Sequence, residues 1–146
     1  VLFNHTQPLI RYELSDSVQL TAAPCPCGRP HTLIQGIQGR MEDVLYFPAV
    51  AGGEVAVHPS AFHRILDTVP ASGWQVVQET DGLSVLLSGL RERFMDETLV
   101  DAMRRVLTAQ GAVVPSVRVQ RVAAIPRSAS GKAPLVKSNV PRASKE

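Results

Sequence analysis

The sequence predicts an α+β fold: a two-layer sandwich in which two helices cover a mostly antiparallel sheet, preceded by short β-strands. Three observations predict it. Phe62, Ile65, Leu66 and Val69 recur at i, i+3, i+4, i+7, and Leu99, Met103, Val106 and Leu107 line one face of the segment 95–110, so two helices each have one face to hide. Asp81-Gly82 stands between two strand-like runs, a strong hairpin signal. After Arg40 the elements run strand, helix, strand, strand, helix, strand.

The chain opens with short extended segments. Residues 9–14 follow Pro8, Val18-Gln19-Leu20-Thr21 alternates apolar and polar, and Asp16-Ser17 reads as the turn between them. Pro24-Cys25-Pro26-Cys27-Gly28-Arg29-Pro30 is a rigid, irregular loop. Leu33, Ile34 and Ile37 resume extended structure, punctuated by Gly36 and Gly39. Val44-Leu45-Tyr46-Phe47 is a short apolar strand, and Ala51-Gly52-Gly53 is a turn. Pro59 suits the first position of the first helix, where its missing N–H costs nothing, and Pro70 stops that helix. Strands are expected at 74–80, 83–88 and 116–122. The second helix carries Asp96 and Glu97 in its first turn, as the helix dipole favours, and Gly111 ends it. From Ile125 onward Ser, Pro and Lys mark a loop or mobile end.

The bulk properties narrow the function classes. The 146 residues are 45% hydrophobic and 19% charged, a globular composition and not a disordered one. No apolar run approaches the roughly 18 residues of a membrane span, and no signal segment opens the chain. A net charge of +2 is too small to argue for nucleic acid. Cys25 and Cys27 do not make a secreted disulfide framework and, one residue apart, do not easily pair with each other, so a reducing cytoplasm is the natural inference. The chain begins with Val1 and a hydrophobic stretch, as expected of a piece cut from something longer.

Four stretches carry possible chemistry. In Pro126-Arg127-Ser128-Ala129-Ser130-Gly131-Lys132, the glycine permits close backbone approach and the lysine brings a positive charge, so the loop suits a phosphate or carboxylate. It is not a Walker A loop, because Pro126 stands where that motif needs its first Gly, and Ala133-Pro134 follow where it needs Ser or Thr and a helix. A flexible basic tail is the plain alternative. Gly39-Arg40-Met41-Glu42-Asp43 reads either as a surface ion-pair cluster or as a hinge with a nucleotide-contacting arginine. Asp16 is either a turn former or an acceptor for a ribose diol. Cys25 and Cys27 offer two zinc ligands, with His31 and His5 the nearby candidates to complete a set; the alternative is a tight structural loop. His58 and His63 read as packing or surface residues.

In this order the four stretches resemble the C-terminal part of adenylate-forming enzymes: acyl-CoA synthetases, peptide-synthetase adenylation domains and luciferase. The phenylacetate–CoA ligase and coenzyme F390 synthetase branch is the most similar. Residues 8–16 are similar to the stretch ending Tyr-Arg-Thr-Gly-Asp, and Cys25-Pro26-Cys27-Gly28-Arg29 to the branch's Cys-Gly-Arg loop. Residues 37–43 are similar to the Gly-Arg-x-Asp-Asp hinge, and residues 126–132 to the Pro-Arg-x-x-x-Gly-Lys ending. Glu13, Leu14 and Ser15 depart from Arg-Thr-Gly, and Glu42 stands for the usual Asp.

The resemblance implies three parts: residues 1–39 ending a large N-terminal adenylation domain that is missing here, 40–43 as hinge, and 44–146 as a C-terminal lid. Asp16 would hold the ribose hydroxyls of ATP, Arg40 would contact the nucleotide, Glu42 would be the pivot, and Lys132 would serve the adenylation step. Magnesium would accompany ATP. The substrate would be a carboxylic acid, aromatic acids among the candidates, and the acceptor thiol would belong to CoA or to the phosphopantetheine of a carrier protein. Zinc at Cys25 and Cys27 is compatible with this. The chain would be inactive without the large domain. The rival expectation is a non-enzymatic α+β binding or dimerisation module, with or without zinc.

Overall fold

The protein is seen in a computed structural model that describes residues 6, 15–91, 94–114, 116–128 and 131–141, the side chain of Glu42 excepted. The strand expected at 9–14 lies outside the described residues. The chain divides into two compact units, Val1–Glu42 and Asp43–Glu146.

The first unit is built on a two-stranded antiparallel ribbon, β1 (Asp16–Thr21) against β2 (Leu33–Arg40). Asp16-Ser17 is not a turn. It opens β1, with Asp16 opposite Arg40 and Ser17 opposite Gly39. The Ser17 hydroxyl donates to Gln38 Oε1 at 2.9 Å, so cross-strand pairing overrides the local turn preference of these residues. The register shifts twice, between Ser17 and Val18 and between Gln19 and Leu20. Each shift leaves an extra residue on β2, and Gly39, at φ 106, takes backbone that other residues avoid. The shifts leave Val18 opposite Ile37 and Leu20 opposite Ile34, so these apolar side chains share one face. That face is open to solvent: Val18 is 43% exposed, Leu20 58%, Ile34 58% and Ile37 66%. A 3-10 turn, Met41–Asp43, follows β2, and the Met41 N–H donates to the Ser15 carbonyl at 2.8 Å.

The second unit begins with a hairpin of β3 (Leu45–Pro48) and β4 (Glu54–Val57), then α1 (Pro59–Leu66). A second hairpin follows, β5 (Gly73–Glu79) and β6 (Gly82–Ser88). Then come α2 (Asp96–Ala109), β7 (Val117–Val122) and β8 (Val136–Ser138). The fold is α+β with two helices, but its four-stranded sheet, ordered β7-β6-β5-β8, is mixed and not mostly antiparallel. Only β5 and β6 are antiparallel; β7 runs parallel to β6, and β8 parallel to β5. The reason lies in the connections. The long crossover through α2 carries the chain back before β7 pairs, and such a return makes neighbours parallel.

The central hairpin is buried on both faces. Trp74, Val76, Leu83, Val85 and Leu87 join one core with Phe62 and Leu66 of α1 and with Leu99, Met103 and Leu107 of α2. Gln75, Val77, Ser84, Leu86 and Ser88, on the alternate positions, are buried as well. The connection 123–135 reaches this second face. Gln75 Nε2 donates to the Pro134 carbonyl at 2.7 Å, and the Ile125 side chain lies where a Cβ on Gly73 would touch it.

The tail expected to be loose therefore contains a strand. Gln78 fastens it: its amide nitrogen donates to the Tyr46 carbonyl at 2.6 Å, and its amide oxygen accepts from the Ser138 hydroxyl at 3.0 Å. The Asn139 N–H donates to the Gln78 carbonyl at 2.9 Å. Among the described residues no helix is long and apolar enough to cross a membrane.

The hairpin turn sits one residue earlier than expected. Glu79 is opposite Gly82, so Thr80 and Asp81 form the loop and Gly82 opens β6. Gly82 has φ 152, and a Cβ there would collide with the Ser116 carbonyl oxygen, which accepts the Leu83 N–H at 2.9 Å. Arg118 grips Asp81 with both nitrogens, at 2.7 and 2.8 Å, and these bonds hold the Asp81 carboxyl below the ordinary carboxylate value. Gly82→Ala is expected to lower the unfolding free energy by about 2 kcal/mol, read from urea denaturation. Gly36→Ala, where no neighbour crowds the position, is the control and should cost far less.

Candidate functional site

The two residues expected to meet a nucleotide in the first unit are brought together. Asp16 is the first residue of β1, Arg40 is the last of β2, and the register sets them directly opposite. Both are exposed. A carboxylate accepts hydrogen bonds and a guanidinium donates them, so the end of the ribbon sets two complementary groups side by side. The 3-10 turn carrying Glu42 follows immediately.

Lys132 lies in the second unit, on the connection between β7 and β8. It ends a closed turn and is not part of a free tail. The Gly131 N–H donates to the Ser128 carbonyl at 2.8 Å, and the Ser128 N–H donates to the Lys132 carbonyl at 2.7 Å. Arg127 Nη1 donates to the Gly131 carbonyl at 2.9 Å. Gly131 has φ 78, the left-handed backbone that this turn needs. Ala129 and Ser130 lie outside the described residues. Among the described residues no helix follows the lysine, where a Walker A motif needs one. The lysine itself is exposed, so its ammonium group reaches solvent from a fixed base.

Sequence reasoning missed what lies beside this turn. A cleft of about 520 Å³ opens at the end of the central hairpin, lined by the small residues Ser72, Gly73, Ser88 and Gly89 and by Trp74, Ile125 and Arg127. The signal was available as two Ser-Gly pairs at the open ends of the expected strands; only their register shows that they face each other. His63 packs edge-on against Trp74, ring centroids 4.8 Å apart, and shares Asp67 with the Trp74 indole N–H. That is a packing role.

The cysteines are closer than their spacing implies. Both are free, yet their sulfurs are 2.8 Å apart. The Gly28 N–H donates to the Cys25 carbonyl at 2.9 Å, with Gly28 at φ 75, and this turn brings both side chains to one side. The hydrogen bond with Cys25, then one from the Arg29 backbone, pull the Cys27 thiol below its usual value. Among the described residues no three His, Cys, Asp or Glu side chains gather as a metal site requires, and His31 does not join the pair. His5 lies outside the described residues.

No family model matches the chain, and no curated protein matches it. Among solved structures, the fold is similar to that of 2-hydroxyisobutyryl-CoA ligase in the postadenylation state in complex with R3-HIB-AMP. The TM-score is 0.55 and the identity 24%, over 86% of this chain and 28% of that one. An open conformation of the same ligase in complex with 2-HIB-AMP and CoA gives a TM-score of 0.47 at 24% identity, over 79% of this chain and 26% of that one. The chain thus spans about 28% of the length of the ligase whose fold it shares.

Arg127→Ala is expected to open the turn. Amide exchange at Ser128 and Gly131 should accelerate a few-fold, as loss of one hydrogen bond implies. Amides of β5 and β6 should be unchanged when followed in the same hydrogen-exchange experiment.

Proposed function

We propose that this chain is the C-terminal portion of an acyl-adenylate-forming ligase. The parent reaction joins a carboxylic acid to ATP, giving an acyl-adenylate and pyrophosphate, and then passes the acyl group to the thiol of CoA or of a carrier protein. The observation that carries this reading is the fold likeness to an acyl-CoA ligase over 86% of the chain. It occurs in a sequence whose four ordered motifs resemble the same superfamily, most closely the phenylacetate–CoA ligase branch.

In this reading Asp16 accepts hydrogen bonds from the ribose hydroxyls, and Arg40, opposite it, donates to the nucleotide. Magnesium arrives with ATP. Lys132 places its ammonium group between the acid's carboxylate and the α-phosphate. It stabilises the negative charge that builds as the acid oxygen attacks and pyrophosphate leaves, an electrostatic role that depends on a donor already positioned. The closed turn at 128–132 supports that role by fixing the base of the side chain. Glu42 is the pivot between the two half-reactions; the division of the chain after Glu42 supports a hinge there.

The apolar face of the β1–β2 ribbon supports a further, larger partner: a two-stranded ribbon is marginal alone, and Leu20, Ile34 and Ile37 are each more than half exposed. In this reading the large adenylation domain covers that face and supplies the acid pocket.

Two results test the reading. ATP–pyrophosphate exchange with a panel of aromatic and short-chain acids should be absent in this chain and present in the longest upstream-extended version of its reading frame. In that longer protein Lys132→Ala should slow exchange by about a hundredfold or more; exchange at wild-type speed would remove the lysine from the mechanism. Independently, Leu20→Thr with Ile34→Thr should reduce hydrophobic-dye binding and self-association of the isolated chain, without lowering its thermal midpoint.

A further inference from the structure

The ligase reading uses the Cys25–Cys27 loop as a motif but gives its two thiols no part in the reaction, and the thiols stand close together. We propose that the pair is a reversible dithiol modification site, which closes to an intramolecular disulfide at the expense of a small-molecule disulfide of the glutathione class.

Three features of the loop lead there. The sulfurs are 2.8 Å apart with both cysteines free, so one thiol stands where the other's sulfur must be attacked. The turn closed by the Gly28 N–H on the Cys25 carbonyl holds that approach in place, and Pro24 and Pro26 restrict the backbone on either side. Cys27 is exposed, so a soluble disulfide reaches it. A bridge here spans a single intervening residue, a very short loop, and therefore gains little from loop closure. A structural staple is the wrong description; a labile, exchangeable bond is the right one.

The chemistry balances. The Cys27 thiolate attacks one sulfur of the small disulfide, whose S–S bond breaks, and one thiolate leaves. Cys25, after losing its proton to water, attacks the Cys27 sulfur of the mixed disulfide and expels the second thiolate. The cysteines give up two electrons and two protons, and the small disulfide is reduced to two thiols. Since the inference uses only the first unit's loop, it stands or falls separately from the ligase reading.

The test uses this chain. Reduced protein is incubated with excess oxidised glutathione, quenched with iodoacetamide, and weighed by intact mass spectrometry with peptide mapping. The expected product is lighter by two hydrogen atoms, carries no glutathione and takes no alkyl group; dithiothreitol restores both alkylatable thiols. Cys25→Ser, which keeps the exposed Cys27, should stop at a retained glutathione adduct, and Cys27→Ser, which keeps the half-buried Cys25, should form no bridge, the fold of each being checked by circular dichroism. A stable glutathione adduct on the unaltered chain overturns the proposal. So does survival of both thiols, and so does one equivalent of bound zinc that blocks oxidation, which would make the pair a metal clasp.

Discussion

A β-hairpin buried on both faces cannot stand without two covers, and this requirement organises the second unit. Every residue of β6 is buried, and β5 is buried except at its ends. One cover is the pair of helices, whose Phe62, Leu66, Leu99, Met103 and Leu107 meet the inward positions of the hairpin. The other face receives the connection from β7 to β8. At Gly82 the chain entering β7 passes close over the hairpin turn, next to the first parallel pair, Leu83 opposite Val117. Burying Gln75 and Gln78 in such a place is costly unless their amides are bonded, and Gln75 meets this only in half: its Nε2 is bonded, while its Oε1 has no partner among the described residues. Gln78 turns that cost into connectivity by joining β3, β5 and β8.

The first unit is organised differently. Its ribbon has an apolar flank with no cover among the described residues and a charged end where Asp16 faces Arg40. The register shifts, which leave Gln38 and Gln35 of β2 with no residue opposite, put both features in place, since a ribbon without them would set different residues opposite one another.

Much of this was legible locally. The helices announced themselves by 3.6-residue periodicity, by Pro59 and by Gly111; α2 forms within a residue of its expected bounds, whereas α1 ends at Leu66, and Val69, expected on its apolar face, lies beyond it. What was not legible depends on distant partners. Glu54–Val57 is only four residues long, and its strand character comes from Leu45–Pro48 opposite it. Val136–Ser138 is only three residues long and closely follows Pro134, and its strand character comes from parallel pairing with β5. The sign of that pairing, and of β7 with β6, is carried by connections and leaves no local period to read. At the candidate site, Lys132 and the Asp16–Arg40 pair stood out as residue types in motifs. The Arg127 hydrogen bond, the cleft at Trp74 and the approach of the two sulfurs are facts of backbone direction, which composition does not record.

The strand at Val136–Ser138 has a mechanical consequence. It anchors the chain four peptide steps after Lys132, and a fully extended run of that length reaches at most about 14 Å. On its other side the lysine is tied through the 128–132 turn toward β7. Both ends of the span are moored to opposite borders of one rigid sheet, so the lysine backbone behaves as a point on a short bridge and not as the tip of a whip. Local fluctuation can swing the ammonium group but cannot withdraw its base far. Any larger excursion of that charge must be made by carrying the whole sheet with it.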